Sequence, residues 1–199
     1  MSFFRSARKT PIAFMFSLTQ AGSGIIKNDL SEMATNFKAL GLTKLCLANI
    51  SNDNIVLFKV NVIMDAAVAY IRLSFNDKMS DEQVVDVVNY SLSNSIFFER
   101  GIDKRCANVT DTLVGQKRPP VPAATNIATL GRIFFTIGTN LDCLIRKPTP
   151  NFPQLVQGLR TGLQGIANDN DPSRTSADIF ITHLTVLSES LEQLAGNCF

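Results

Sequence analysis

Apolar positions recur along most of this chain at the spacing of a helix. Leu30, Met33, Ala34, Phe37 and Leu40 fall on one helical face, with Asn28 or Asp29 available as a cap and Gly41 as a stop. A short helix over 11–20 precedes it, opened by Pro11, which is tolerated at a first helical position, and broken by Gly22 and Gly24. From Met64 to Phe75 the helical pattern returns, with Ala66, Ala67, Ala69 and Tyr70 on or beside an apolar stripe, until Asn76-Asp77 ends it. Ser80 and Gln83 then have the spacing of a capping box, and Asp81 and Glu82 suit a helix N-terminus. Val84, Val85, Val87, Val88, Leu92, Ile96 and Phe97 give this helix (80–98) its buried face, and Gly101 closes it. A long helix is predicted from about Thr125 to Arg146, on Ile127, Leu130, Phe134, Ile137, Leu141 and Leu144. Pro148 and Pro150 stop it. Two further helices, about 152–167 and 176–195, flank the turn sequence Asn168 to Pro172.

Two stretches depart from this period. Residues 44–63 hold two runs rich in leucine and β-branched residues, KLCLANI and IVLFKVNVI, around Ser51-Asn52-Asp53-Asn54. That arrangement predicts a small β-hairpin or a helix-to-strand element, with one continuous buried helix as the alternative. Residues 101–123 contain GQKRPPVPAA, whose closely set prolines forbid helix, and read as a long basic loop. The chain as a whole, 1–199, reads as one mainly helical domain with a small β-hairpin, a length that suits one sizeable core.

Composition changes this picture in one respect. Charged residues are only 18% and hydrophobic ones 45% of the chain, against about a quarter charged in typical usage. A weakly ionic surface associates readily because little repulsion opposes contact, although an ordinary domain with a large core has the same composition. The net charge of +2 is too balanced to argue for nucleic acid. Its distribution is uneven: Arg100, Lys104, Arg105, Lys117 and Arg118 cluster against Asp103 and Asp111, while 176–199 holds acids and no Lys or Arg. This asymmetry suits polyanion binding or head-to-tail self-association, and equally two solvated faces.

Candidate chemistry is sparse. Cys46, Cys106, Cys143 and Cys198 form no C-x-x-C pair, so no zinc site is predicted, and their apolar settings predict buried free thiols in a reducing compartment. The single histidine, His183, lies mid-helix in IFITHLTVL and reads as a hydrogen-bonded structural residue. Asn168 to Asp171 lacks the glycine and distal glutamate of a calcium loop and reads as a turn. Asn108-Val109-Thr110 is a glycosylation sequon that matters only in a secreted chain. The N-terminus imitates a signal peptide, but Pro11 and Ser17 break its apolar run. No uninterrupted run approaches a membrane span. A soluble intracellular protein follows, with no catalytic residue, cofactor, metal or small-molecule substrate.

The stretch FKVNVIMDAAVAYIRLSFN, through Asn61, Met64, Asp65, Val68, Ile71, Phe75 and Asn76, resembles the strand-into-helix segment of tobamovirus-type rod-shaped virus coat proteins. A second stretch, NLDCLIRKPTPNF, through Leu144, Ile145, Arg146, Thr149 and Phe152, resembles the end of that family's other radial helix. The resemblance covers about 58–76 and 140–152; helix 80–98 and most of 153–199, a C-terminal helical extension, are additions to it. It implies an antiparallel bundle with a four-helix core plus extra helices, stacked by self-association into a helical particle around single-stranded RNA. It further implies a virion and host-cytoplasm location. Arg100, Lys104, Arg105, Lys117, Arg118 and Arg132 would then neutralise phosphate without reading sequence. Asp65 would match the family's intersubunit carboxylate. The contrasting expectation is a helical adaptor that binds one protein partner in an apolar groove; an enzyme using an unrecognised carboxylate pair is a third.

Overall fold

The capping box expected at Ser80 forms. Gln83 donates its backbone N–H to Ser80 Oγ at 3.2 Å, and its side chain accepts from the Ser80 N–H at 2.8 Å, closing the capping box. Thr175 and Asp178 build a second box at a later helix start, and Asn151 caps the helix between them in sequence. The structure is a computed structural model describing residues 11–50, 54–109, 122–196 and 198. Among these it contains six α-helices: α1 (Pro11–Ile50), α2 (Asn54–Ser74), α3 (Asp81–Arg100), α4 (Pro122–Ile145), α5 (Phe152–Asn168) and α6 (Ser176–Ala195). A 3-10 turn, Lys104–Cys106, follows α3. The fold is mainly helical, as the periodicity predicts.

The β-hairpin is not formed. Residues 44–50 are the end of α1, residues 54–63 are the start of α2, and 51–53 lie outside the described residues. The reason is burial on all sides. Every residue from Gly41 to Ala48 is buried, so this part of α1 reads as a continuous apolar run that periodicity alone cannot distinguish from a strand. In α2, Leu57, Val60, Met64, Val68 and Ile71 are buried at intervals of three and four residues, which only a helix can place on one face. α1 also runs through Gly22, Gly24 and Gly41, where stops were expected. Glycine costs about 1 kcal/mol in a helix interior, an amount that tertiary packing readily offsets.

Gly41 shows how. A Cβ there would sit 2.6 Å from the Gly131 carbonyl oxygen, and one on Gly138 would sit 2.7 Å from that of Ala34. These contacts run antiparallel and let the backbones of α1 and α4 approach more closely than any side chain would allow. α1 and α4 make the most extensive helix pair, and α4 also packs on α6. Phe134 of α4 sits between Phe37 and Phe180, with ring centroids 5.8 and 6.3 Å away. α5 and α6 supply much of the core, through Leu155, Val156, Leu159, Leu163, Ile179, Leu187 and Leu191. Arg160 of α5 reaches α3, donating to the Met79 carbonyl at 2.7 Å and Asp81 at 2.8 Å.

The cysteines are paired, contrary to the expectation of free thiols. Cys46 bonds Cys106, with Cα atoms 5.8 Å apart, and Cys143 bonds Cys198, with Cα atoms 6.0 Å apart. None is left free. The bridges close separations of 60 and 55 residues, so nothing in the local spacing announces them. One ties the 3-10 turn to the end of α1, the other ties the chain's end to α4.

Candidate interaction surface

α2 is apolar on two opposite faces. Its inner face enters the core. Its outer face carries Phe58 at 67% exposure, Val62 at 47% and Leu73 at 88%. Ala66 and Ala69 lie exposed between them. At about 100° per residue these five positions form one line, almost diametrically opposite the buried one. By length and composition Asn54–Ser74 is apolar enough to cross a membrane, and 28% of its most apolar stretch is buried in the fold. The count of uninterrupted apolar residues missed it because Lys59, Asn61 and Asp65 punctuate the run. Ile55, 61% exposed, falls on the same line one turn before Phe58, and the other exposed large hydrophobics are Phe97, Phe98 and Val186.

Charges border this stripe. Asp65 and Arg72 lie along one edge and Lys59 along the other. Asp65, expected as an intersubunit carboxylate, is exposed and accepts a hydrogen bond from Ser176 Oγ at 2.6 Å. Arg72 donates to the Asp169 carbonyl at 2.5 Å. The two bonds fasten α2 to the start of α6 and the end of α5 and hold the stripe outward.

Asp169 also organises the α5–α6 connection. Its carboxylate stands 2.9 Å from His183 Nε2 and 3.5 Å from Arg174. A Cβ on Gly165 would overlap the His183 ring, so the imidazole packs directly on α5. His183 is hydrogen-bonded, as its setting predicts. In the adjoining turn Asp171 accepts from the Ser173 hydroxyl at 2.6 Å and from its N–H at 2.9 Å, which holds its carboxyl below the usual range. Among the described residues no group of three or more His, Cys, Asp or Glu is placed to hold a metal.

The predicted basic cluster is only partly assembled. Arg105 is held by Asp103 in a two-pronged pair at 2.7 and 3.1 Å, and that contact lowers the Asp103 pKa. Arg100 is half-buried, with a buried Nε that finds no hydrogen-bond partner. Lys104 is exposed on the 3-10 turn, at the end of α1 marked by Cys46. Arg132 is exposed at the level of Gly41, further along α4, and donates to Thr129 Oγ1 at 3.3 Å. Lys117 and Arg118 lie outside the described residues.

The most heavily buried polar pair escaped the sequence reading. Lys44 and Glu99 are 1% and 0% exposed, with Nζ 2.8 Å from Oε2. Burial pushes the Glu99 carboxyl up, and the Lys44 charge only partly opposes this. Lys44 also stands 5.6 Å from the Phe134 ring centre and lines a central cavity of about 50 Å³ with Phe37, Leu92, Ser95 and Leu163.

No family model, curated protein or solved structure matches this chain. The first stretch of the coat-protein resemblance, 58–76, begins inside α2 with no strand. In the second, Leu144 and Ile145 close α4 and Phe152 opens α5.

Proposed function

We propose that this chain is a non-catalytic, self-associating helical protein. One observation carries the reading: α2 presents a second apolar line to solvent while its first is committed to the core. A contiguous exposed apolar line opposite the face committed to the core marks a contact surface. The two disulfides support an oxidising compartment as the place of action, in contrast to the intracellular location expected from cysteine spacing. Sedimentation equilibrium of the full chain over a hundredfold range of concentration tests the reading. Mass above the monomer, rising with concentration, is expected, and a strict monomer throughout refutes it.

A second reading, a coat subunit packaging single-stranded RNA, is favoured by the position of Lys104. It is exposed beside the end of α1, on the 3-10 turn tied there by Cys46–Cys106. Replacing Lys117, Arg118 and Arg132 together by alanine is expected to weaken RNA binding and flatten its salt dependence by roughly one phosphate contact per residue. An unchanged salt slope removes these residues from an RNA site.

A further inference from the structure

We infer that two copies of the chain meet through α2, antiparallel across a twofold axis, with Asp65 of each copy paired to Arg72 of the other. This rests on the self-association proposed above and names its surface and register.

The outer line of α2 runs Ile55, Phe58, Val62, Ala66, Ala69, Leu73: large toward both ends, small in the middle. Small residues at a crossing let two helix axes approach toward the lower end of the roughly 8–10 Å range of helix packing. A twofold interface must be self-complementary, each patch meeting its own reverse. Setting Ala66 of one copy against Ala69 of the other puts Val62 opposite Leu73, twice. The central four positions fit their own reversal, while Phe58 and Ile55 fall past Ser74, beyond the end of the other copy's helix.

Charge decides between the two possible directions. An antiparallel twofold brings like border to like border, reversed. Asp65 and Arg72 share a border, so each copy's aspartate faces the other's arginine, offset by two residues or about 3 Å along the axis. That offset is within reach of a long arginine side chain, and symmetry makes the pair twice. A parallel twofold instead sets the Asp65 border against the Lys59 border, six residues or roughly 9 Å out of step. The antiparallel arrangement therefore converts the border charges into attraction, and the parallel one does not. The intramolecular bonds from Ser176 to Asp65 and from Arg72 to the Asp169 carbonyl use one oxygen and one Nη, leaving the other atoms of each group to the second copy.

The test is sedimentation equilibrium of the full chain and its variants, each checked for unchanged helicity by circular dichroism. Wild type is expected to dimerise. Asp65→Arg and Arg72→Asp each weaken dimerisation at least tenfold, and the double variant, with the charges exchanged, recovers to within about threefold of wild type. Ala69→Glu, which puts a charge into the apolar line itself, abolishes the dimer. If wild type associates but these variants leave its dissociation constant unchanged, the α2 interface is wrong and self-association through another surface stands. If the charge variants weaken association and the exchanged pair fails to recover while folded, the antiparallel register is wrong. A wild-type monomer at all concentrations overturns both this inference and the proposed function.

Discussion

Replacing Lys44 by methionine removes the cation facing Glu99 while keeping most of the side chain's volume in the core. The Glu99 carboxylate is 0% exposed and would then lie buried without its counter-charge, 2.8 Å from where the ammonium stood. Breaking such a pair from one side costs about 3–5 kcal/mol, a large part of the roughly 5–15 kcal/mol that holds a domain folded. For a chain of this size the loss lowers Tm on the order of 10 °C. Replacing both partners, Lys44→Met with Glu99→Leu, removes the buried charges together and is expected to be neutral or stabilising by up to about 4 kcal/mol. The pH dependence adds a second signature. Because burial raises the Glu99 pKa in the fold, the folded chain binds that proton more tightly than the unfolded chain. Stability from this group is therefore full at acid pH and is lost as pH rises from the ordinary carboxylate range through the raised value. Glu99→Gln abolishes that slope, and Lys44→Met costs least at acid pH, where Glu99 is neutral. Urea unfolding of the four proteins between pH 4 and pH 8 measures all of this. The reasoning fails if Lys44→Met costs less than about 1 kcal/mol at neutral pH, or if the double variant is as unstable as the single one.

The α1–α4 contact predicts opposite outcomes for one substitution at different glycines. Gly41→Ala and Gly138→Ala force backbones apart and should destabilise by about 1–3 kcal/mol, despite a gain of up to about 1 kcal/mol in helix propensity. Gly158→Ala meets its nearest neighbour, Leu187, at an ordinary 3.5 Å and should stabilise; melting curves that shift in the same direction for Gly41 and Gly158 contradict this packing. The Cys46–Cys106 bridge closes a 60-residue separation, and its removal by Cys106→Ser should cost about 4 kcal/mol, read from urea midpoints. Denatured, unreduced protein should give no titratable thiol, and finding two or more would refute the pairing.

Legibility followed the range of the interactions. The α3 start was readable because Ser80 and Gln83 satisfy one another's backbone across three residues. The C-terminal end of α4 was readable because Pro148 and Pro150 act on their immediate neighbours. What failed depended on partners far away. Gly41 looks like a helix stop until Gly131, 90 positions on, arrives to use the missing side chain. Lys44 looks like a surface charge inside an apolar run until Glu99 is known to face it. The disulfides belong with these, since Cys46 and Cys143 sit among apolar neighbours whether free or bonded.

α2 was misread for a different reason, and it bears directly on the candidate surface. A helix with one apolar face announces itself by period; a helix with two does not, because its apolar residues fall nearly all round. Starting the helix at Met64 left the β-branched run before it to read as strand. The outer line then kept only Ala66, Ala69 and Leu73, which look like an ordinary solvated face. Moving the start back to Asn54 restores Phe58 and Val62 to that line and makes it large at both ends. The same shift puts Lys59 on the border opposite Asp65 and Arg72, which distinguishes antiparallel from parallel pairing. The surface on which the proposed function rests therefore became visible only through the correction that removed the hairpin.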